Sequence, residues 1–224
     1  MTTEELQGAL ADISAETDPS PRHLKLAGLV STLFRDRGIE LVVVGGSAIE
    51  FYTEGAYVSG DLDLCLISPS RVDLRTRQER MGLLGAMGGP RNWKVAGQWV
   101  DILGEVETLS RTPFTQLLSP YGPVQLVSAE DLLVERVLIS TYPQPYDPAD
   151  ACARKLLAVA LLGSIELDWN EVARLAARPE YGIQPRRETM AREVAHALGR
   201  PSPYDPQGPS PELGGLAEGP TRPA

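Results

Sequence analysis

Cysteine is scarce in this sequence of 224 residues, which contains only Cys65 and Cys152. The two cysteines lack the close spacing of a zinc or iron–sulfur site. Cys65 also lies inside an apolar pattern that is typical of a strand. We therefore expect two reduced thiols in a cytoplasmic protein, with a single structural disulfide as the alternative.

Long hydrophobic runs are also absent. No apolar stretch approaches the roughly 20 residues that a membrane-spanning helix needs. The first residues, from Met1 to Leu6, are acidic and polar, unlike the basic and apolar start of a secretory signal peptide. The sequence therefore predicts a cytoplasmic protein with no membrane partner.

Basic side chains are outnumbered by acidic ones. The sequence has 21 lysines and arginines and 30 aspartates and glutamates, which gives a formal net charge of −9. Much of this excess lies at the two ends. Residues 1–20 carry five acidic and no basic side chains, and residues 201–224 carry a net charge of −2. The body between them is close to neutral, which does not resemble a strongly basic nucleic-acid-binding module. Small-molecule substrates, or weak RNA contact through a local patch, fit this balance better.

The pattern of predicted elements divides the chain into four segments. These are an acidic N-terminal segment over residues 1–20, a core over 21–127, a helical C-terminal segment over 128–200, and a disordered tail rich in proline and glycine over 201–224. Periodicity and capping residues predict helices over 3–13, 22–37, 48–52, 71–85 and 107–118. They predict strands over 41–44, 61–67, 92–96, 99–103 and 123–127. In the C-terminal segment they predict four helices: one over 132–141, one over 148–162, one that begins at 168, and one over 186–198. This order is not a regular alternation of strands and helices, which disfavours a doubly wound sheet. We expect an α+β fold: a small mixed β-sheet core with flanking helices and a helical C-terminal segment.

A glycine turn follows the first predicted strand. The run from Leu41 to Val44 is β-branched and apolar, and Gly45, Gly46 and Ser47 come directly after it. A helix that begins at such a turn presents free backbone N–H groups and the positive end of its dipole to an anion such as phosphate. The turn is neither G-x-G-x-x-G nor the P-loop motif. A tight turn without a ligand is the alternative interpretation.

Acidic residues stand at intervals that suit a metal site. Asp61 and Asp63 alternate with leucines in a strand pattern, so both carboxylates point to the same face. Asp101 lies in a second apolar strand, where an unpaired charge is costly. A salt bridge at a sheet edge would explain Asp101 alone. Together the three acids predict a site for two Mg²⁺ or Mn²⁺ ions, with Asp101 also placed to accept a proton from an attacking hydroxyl.

These motifs together resemble the signature of the DNA polymerase β-like nucleotidyltransferase superfamily. The resemblance covers roughly residues 22–160. It implies a small mixed sheet, two divalent cations, and transfer of a nucleoside monophosphate from an NTP to a hydroxyl group with release of pyrophosphate. It also implies that Gly45, Gly46 and Ser47 hold the triphosphate, that Asp61 and Asp63 bind both metals, and that Asp101 helps to activate the acceptor.

Within that superfamily the chain is most similar to the bacterial abortive-infection-type nucleotidyltransferases, which are often toxins of toxin–antitoxin pairs. Their threonine before the paired acids corresponds to Ser59, and their later lysine to Arg136. Two acids near the end of their core correspond to Asp147 and Asp150, and Lys155 substitutes for an arginine that precedes those acids. The resemblance implies nucleotide binding by these five residues and an antitoxin protein as a partner. The acceptor hydroxyl is that of a protein, a tRNA or a small molecule.

The chain also departs from this subgroup, which leaves other hypotheses open. Tyr57 stands where the subgroup has an arginine, and residues 142–146 supply no arginine either. A nucleotide-binding or protein-interaction module of the same fold with weakened chemistry is therefore the alternative function. A glycosyltransferase also uses Asp-x-Asp with a metal, but it usually needs a longer chain and does not need the upstream glycine turn.

Overall fold

The structure, a computed structural model, describes residues 1–67 and 72–205. Those ranges contain eight helices and seven strands: α1 Thr3–Ala15, α2 Pro19–Arg35, β1 Leu41–Val43, α3 Gly45–Tyr52, β2 Asp61–Leu66, α4 Leu74–Leu83, β3 Met87–Gly88, β4 Asn92–Val95, β5 Gln98–Glu105, β6 Thr115–Ser119, β7 Gly122–Leu126, α5 Ala129–Thr141, α6 Asp147–Leu161, α7 Trp169–Ala176 and α8 Gln184–Ala197. Arg71, where one predicted helix begins, and residues 206–224 of the predicted tail lie outside the described residues.

All seven strands form one mixed sheet in the order β3-β4-β5-β2-β1-β7-β6. The pairs β1–β7 and β2–β5 are parallel, and the other neighbours are antiparallel. The three residues of β1 are completely buried, as their β-branched and apolar sequence predicts. The strand that carries the paired acids, β2, therefore lies in the middle of the sheet between β1 and β5.

Helices pack against this sheet and against each other. Helix α2 contacts β1, β6 and β7, helix α3 contacts β2, and helix α5 contacts α6, α7 and α8. Helix α1 packs on α2 and buries Leu6, Ala9 and Ile13, a stripe at helical spacing. The predicted α+β fold, with a mixed sheet, flanking helices and a helical C-terminal part, is confirmed. No helix among residues 1–67 and 72–205 is both long and apolar enough to span a bilayer.

Capping residues that the sequence indicates do begin the C-terminal helices. The Ser128 side chain accepts the N–H of Asp131 at the start of α5, and Asp168 accepts the N–H groups of Asn170 and Glu171 at the start of α7. These bonds satisfy N–H groups that the first turn of a helix leaves unpaired.

The predicted helix over residues 107–118 is wrong. Its second half forms strand β6, which pairs antiparallel with β7. Pro113 cannot donate a backbone hydrogen bond and disfavours helical geometry in the residue before it. The Asp131 carboxylate also accepts the backbone N–H groups of Leu109 and Ser110, so these groups are bound in an irregular loop.

The predicted hairpin over residues 92–103 is present, but its turn lies one residue earlier than predicted. Ala96 and Gly97, with φ of +48° and +81°, form the turn between β4 and β5. Two consecutive residues with positive φ are typical of the tight turn that matches the twist of an antiparallel hairpin. Strand β5 therefore begins at Gln98 and carries Asp101 in its middle.

Candidate active site

The glycine turn is itself the first turn of helix α3. The helix begins at Gly45, earlier than the predicted start at Ala48, and Val44 at the N-cap position provides no side-chain cap. The N–H groups of a first helical turn have no partner within the helix. An uncapped start of this kind favours an anion. The phosphate contact at this turn stays a prediction.

Both glycines lie very close to other predicted site residues. Gly45 has a φ of +62°, and a Cβ atom built on it would lie 2.8 Å from Oδ2 of Asp63. A Cβ atom on Gly46 would lie 2.9 Å from Oγ of Ser59 and 3.2 Å from the hydroxyl of Tyr57. A side chain at either glycine would therefore displace the ends of these neighbouring side chains.

Ser47 ties the turn to that strand. Its buried hydroxyl donates a hydrogen bond to the backbone carbonyl of Asp61 (2.8 Å) and accepts one from the N–H of Asp63 (3.0 Å). Val44 continues the pairing of β1 with β2 by donating its N–H to the carbonyl of Asp63 (3.1 Å). The hydroxyl of Ser47 is thus engaged with the protein backbone, and its predicted contact with the triphosphate stays a prediction.

The three predicted acids come together on one face of the sheet. Asp63 and Asp101 are register partners on the parallel strands β2 and β5. One carboxylate oxygen each from Asp61, Asp63 and Asp101 lies within 4.8 Å of the others, and all three residues are partly buried. Ser59 donates its hydroxyl to Oδ1 of Asp61 (3.2 Å), and Asn92 donates its amide to Oδ1 of Asp101 (2.5 Å). These two bonds orient the carboxylates and leave other oxygens available.

The electrostatics of the cluster favour a bound cation. The pKa of Asp63 is raised to about 6, first by burial and then by the negative charges of Asp61 and Asp101. Arg136 opposes that rise. A divalent cation would relieve the same repulsion, and three carboxylates are the hard oxygen ligands that Mg²⁺ and Mn²⁺ prefer. The residues present therefore fit the predicted metal site.

Arg136 projects from α5 toward the glycine turn. Its Nη2 atom would lie 3.4 Å from a Cβ atom built on Gly45. Its Nε atom is buried with no hydrogen-bond partner among the described residues, and Nη2 lies 3.6 Å from the Glu135 carboxylate. The structure thus places a cation beside the uncapped start of α3, where the sequence predicts a phosphate contact.

The other predicted nucleotide contacts lie on α6. The Lys155 ammonium donates to the carbonyl of Ala56 (2.6 Å) and lies 5.7 Å from the centre of the Tyr57 ring, which borders Gly46. Asp147 is exposed at the start of this helix.

Asp150, one turn further along α6, binds two arginines. It accepts hydrogen bonds from Arg154 (2.6 Å) and Arg186. Burial alone would raise the pKa of Asp150, but these two bonds lower it overall. The nucleotide-binding role of Asp147, Asp150 and Lys155 stays a prediction.

Sequence reasoning missed a buried network behind the acids, because no sequence motif marks His23. Nδ1 of His23 lies 3.0 Å from both carboxylate oxygens of Glu50, and its Nε2 lies 2.9 Å from the Gln98 side-chain oxygen. Glu50 also accepts the N–H of Ser59 (2.7 Å), whose hydroxyl bonds Asp61. The one available signal was Glu50 itself, an acid among apolar residues of a short helix.

The ionisation of His23 follows from this network. Burial would lower the pKa of His23, but the hydrogen bonds to Glu50 and Gln98 outweigh burial and raise it. His23 and Glu50 are both almost completely buried. Glu50, itself bound to His23, therefore fixes the position of Ser59, and Ser59 in turn orients Asp61.

Comparison with known proteins shows the fold. No protein-family model and no curated protein matches the chain. Among solved structures, the chain is similar to an antigenic nucleotidyltransferase-like protein from Paracoccidioides brasiliensis, with a TM-score of 0.52 and 15% identity over 78% of this chain and 92% of that chain. The antibiotic-resistance factor ANT(2'')-Ia, in its solution structure, gives a TM-score of 0.49 and 15% identity over 77% of this chain and 97% of that chain. The first likeness shows that this chain has the fold of nucleotidyltransferase-like proteins.

Proposed function

We propose that this protein is a metal-dependent nucleotidyltransferase that transfers a nucleoside monophosphate from an NTP to a hydroxyl acceptor. The observation that carries the proposal is the position of three carboxylates on β2 and β5 directly beside the uncapped, glycine-containing start of α3. A site of this kind combines a cation site with a phosphate site, and nucleotidyl transfer needs both.

In this proposal the triphosphate lies at the first turn of α3. The N–H groups of Gly45, Gly46 and Ser47 face its oxygens, and Arg136 adds a positive charge. Ser59 keeps Asp61 oriented, and Lys155 contributes charge from the side of Tyr57. Asp147 completes the nucleotide site from the start of α6, and Asp150 contributes through the arginines that it binds.

Asp61, Asp63 and Asp101 would hold Mg²⁺ or Mn²⁺. When bound, such ions neutralise phosphate charge and align the reacting groups. The acceptor oxygen forms a bond to the α-phosphorus, and the bond from that phosphorus to the oxygen that bridges to the β-phosphate breaks. Pyrophosphate leaves with that bridging oxygen and its electron pair. Asp101 accepts the proton of the attacking hydroxyl.

Transfer of label from an NTP tests this function. The protein is incubated with each α-labelled NTP, Mg²⁺ or Mn²⁺, and cell extract, beside the double variant Asp61→Ala/Asp63→Ala. We expect one or more NTPs to label an acceptor in the extract with the wild-type protein only. Absence of transfer above the variant with every NTP would overturn the proposal.

A second candidate is a nucleotide-binding module whose chemistry is weakened. The position of Tyr57 favours it, since the phenol borders Gly46 where the resembling subgroup carries an arginine. Calorimetric titration with each NTP and Mg²⁺ separates the two candidates. Binding without any turnover would support the weakened module, whereas turnover would exclude it.

We also propose an antitoxin partner, which the resemblance implies, and a cytoplasmic location, which the two reduced cysteines predicted from the sequence favour. The sequence alone supports these two points. Co-expression with the products of neighbouring reading frames, followed by affinity purification, tests the partner. We expect a stable complex that suppresses nucleotidyl transfer.

A further inference from the structure

A cavity of about 420 Å³ opens beside the acids on their own face of the sheet. Side chains two residues apart on a regular strand point to the same face, so Cys65 follows Asp63 on β2. Both Cys65 and Leu103 line the cavity. The acids and the cavity are therefore neighbours, separated by about 7 Å along the strands.

The cavity also borders the glycine turn, because its lining includes Val44, the residue directly before Gly45. Gly45 and Ser47 approach the strand at Asp61 and Asp63, whereas the cavity begins at Cys65. Helix α5 covers the cavity with Leu132, Glu135 and Leu138. A second molecule in the cavity would thus lie beside the carboxylates and next to a nucleotide on the glycine turn.

The inner wall of the cavity is apolar. Its lining includes Val44, Cys65, Leu103, Val127, Leu132 and Leu138. Known small-molecule sites have volumes of roughly 300–1,000 Å³ and mostly apolar walls with a few polar groups. The cavity therefore has the size and surface of a site for a small organic molecule.

The charged side chains of the lining are all negative. They are the carboxylates of Glu105, Glu107, Asp131 and Glu135, and no lysine, arginine or histidine is among the lining residues that the structure describes. Asp131 already binds Leu109, Ser110 and Thr108. The other three acids are exposed.

Of these exposed acids, Glu135 has one distant contact with Arg136, at 3.6 Å. Neither Glu105 nor Glu107 forms an ion pair within residues 1–67 and 72–205. The lining of the cavity therefore offers the carboxylates of Glu105, Glu107 and Glu135 to a bound molecule.

We propose that this cavity is the acceptor site and that the acceptor is a small organic cation: an apolar body with a hydroxyl group and at least one ammonium or guanidinium group. The proposal rests on the proposed nucleotidyl transfer and specifies its acceptor. Negative charge at the mouth attracts such a cation and repels a polyanion such as a tRNA end. The apolar body packs between Leu103 and α5, and the hydroxyl points along β5 toward Asp101.

Three probes with the same phenolic body and different charge test the cavity. They are tyramine, which is cationic, 4-ethylphenol, which is neutral, and 3-(4-hydroxyphenyl)propionate, which is anionic. Binding to the full chain is measured by calorimetry in the presence of Mn²⁺ and a non-hydrolysable NTP. We expect tyramine to bind about fivefold more tightly than 4-ethylphenol, because one charge pair at a partly exposed site contributes about 1 kcal/mol. We expect no binding of the anion.

Variants locate the binding. Glu105→Gln and Glu135→Gln should each weaken tyramine binding severalfold, whereas Glu166→Gln, at an exposed acid outside the lining, should not. Leu103→Trp should fill the cavity and abolish tyramine binding while leaving the affinity for the NTP unchanged. Leu103 is partly exposed, so this variant can fold without repacking the core.

The outcomes separate the acceptor site from the proposed function. Equal affinity for the three probes would overturn the acceptor class. Loss of NTP affinity in Leu103→Trp would show that the nucleotide itself occupies the cavity, which overturns this inference and leaves nucleotidyl transfer standing. If no NTP binds the wild-type protein at all, the proposed function fails, whatever the probes do.

Discussion

Gly45 lies against Asp63, because a Cβ atom on Gly45 would lie 2.8 Å from Oδ2 of Asp63. An alanine there would face two requirements at once: it would have to adopt a positive φ, and the Asp63 carboxylate would have to move. The same two requirements can be separated experimentally, since Gly38 has a similar φ of +70° and open space around its Cβ position.

Gly45→Ala and Gly38→Ala form a matched pair. Both should destabilise the protein by about 1–2 kcal/mol, because alanine is strained at positive φ. Only Gly45→Ala should displace the Asp63 carboxylate and weaken Mn²⁺ binding, measured by electron paramagnetic resonance. Equal Mn²⁺ affinity in the two variants would contradict the placement of Gly45 at the cation site.

Ser47→Ala should cost more stability than an ordinary loss of a hydroxyl. It leaves the carbonyl of Asp61 and the N–H of Asp63 without their buried partner, which costs about 1–3 kcal/mol. Ser14→Ala removes an exposed hydroxyl that bonds the carbonyl of Leu10, and should change stability by less than about 0.5 kcal/mol. Urea denaturation of both variants provides the comparison. Similar losses would show that the Ser47 bonds are not structural.

The His23–Glu50 pair predicts a loss of stability with rising pH. Since the folded-state pKa of His23 is raised above its ordinary 6.5, its contribution is fully present below 6.5 and is lost as the pH rises through the folded-state value. His23→Gln should therefore destabilise by about 3 kcal/mol at pH 6, as expected when one partner of a buried pair is removed, and by less at pH 9. Urea midpoints of both proteins at the two pH values measure this. A penalty that grows toward pH 9 would refute it.

The environment of Glu171 should give stability the opposite dependence on pH, in the acid range. Hydrogen bonds from Arg174 and from the backbone N–H of Arg111 lower the pKa of Glu171 from 4.5 to about 2. The stabilisation is therefore present above pH 4.5 and is lost as the pH falls toward 2. The difference in urea midpoint between the wild type and Glu171→Gln should be larger at pH 7 than at pH 3. A difference that does not change with pH would mean that these bonds do not favour the ionised carboxylate.

The sequence predicts the local part of the site well. The apolar run before Gly45 and the alternation around Asp63 and Asp101 depend on neighbours within a few residues, and the structure has a strand or helix start at each. Pairing between distant strands leaves no local pattern in the sequence, so only the resemblance pointed to the meeting of β2 and β5. The position of Arg136 near the glycine turn was likewise inferred from the resemblance.

Long-range contacts decide the parts that sequence patterns could not predict. The loop after β5 is fixed by Asp131, more than 20 residues later, and not by its own periodicity. His23 and Glu50 are 27 residues apart and look unrelated along the chain. The cavity likewise forms only where α5 covers the sheet, so neither its position nor its charge could be read from any one segment.

The parallel pairing of β2 with β5 makes the site depend on a long excursion of the chain. Asp101 joins the other acids only after the chain has left β2, formed α4, β3 and β4, and returned as β5. Such non-local contacts are slow to form and are lost when the intervening segment opens locally. A cation shared by the three carboxylates would link β5, and the strands β4 and β3 that follow it in the sheet, to the central strand β2. Occupancy of the cation site and pairing of β5 with β2 would then rise and fall together, so bound metal would report on the folding of one particular part of the molecule.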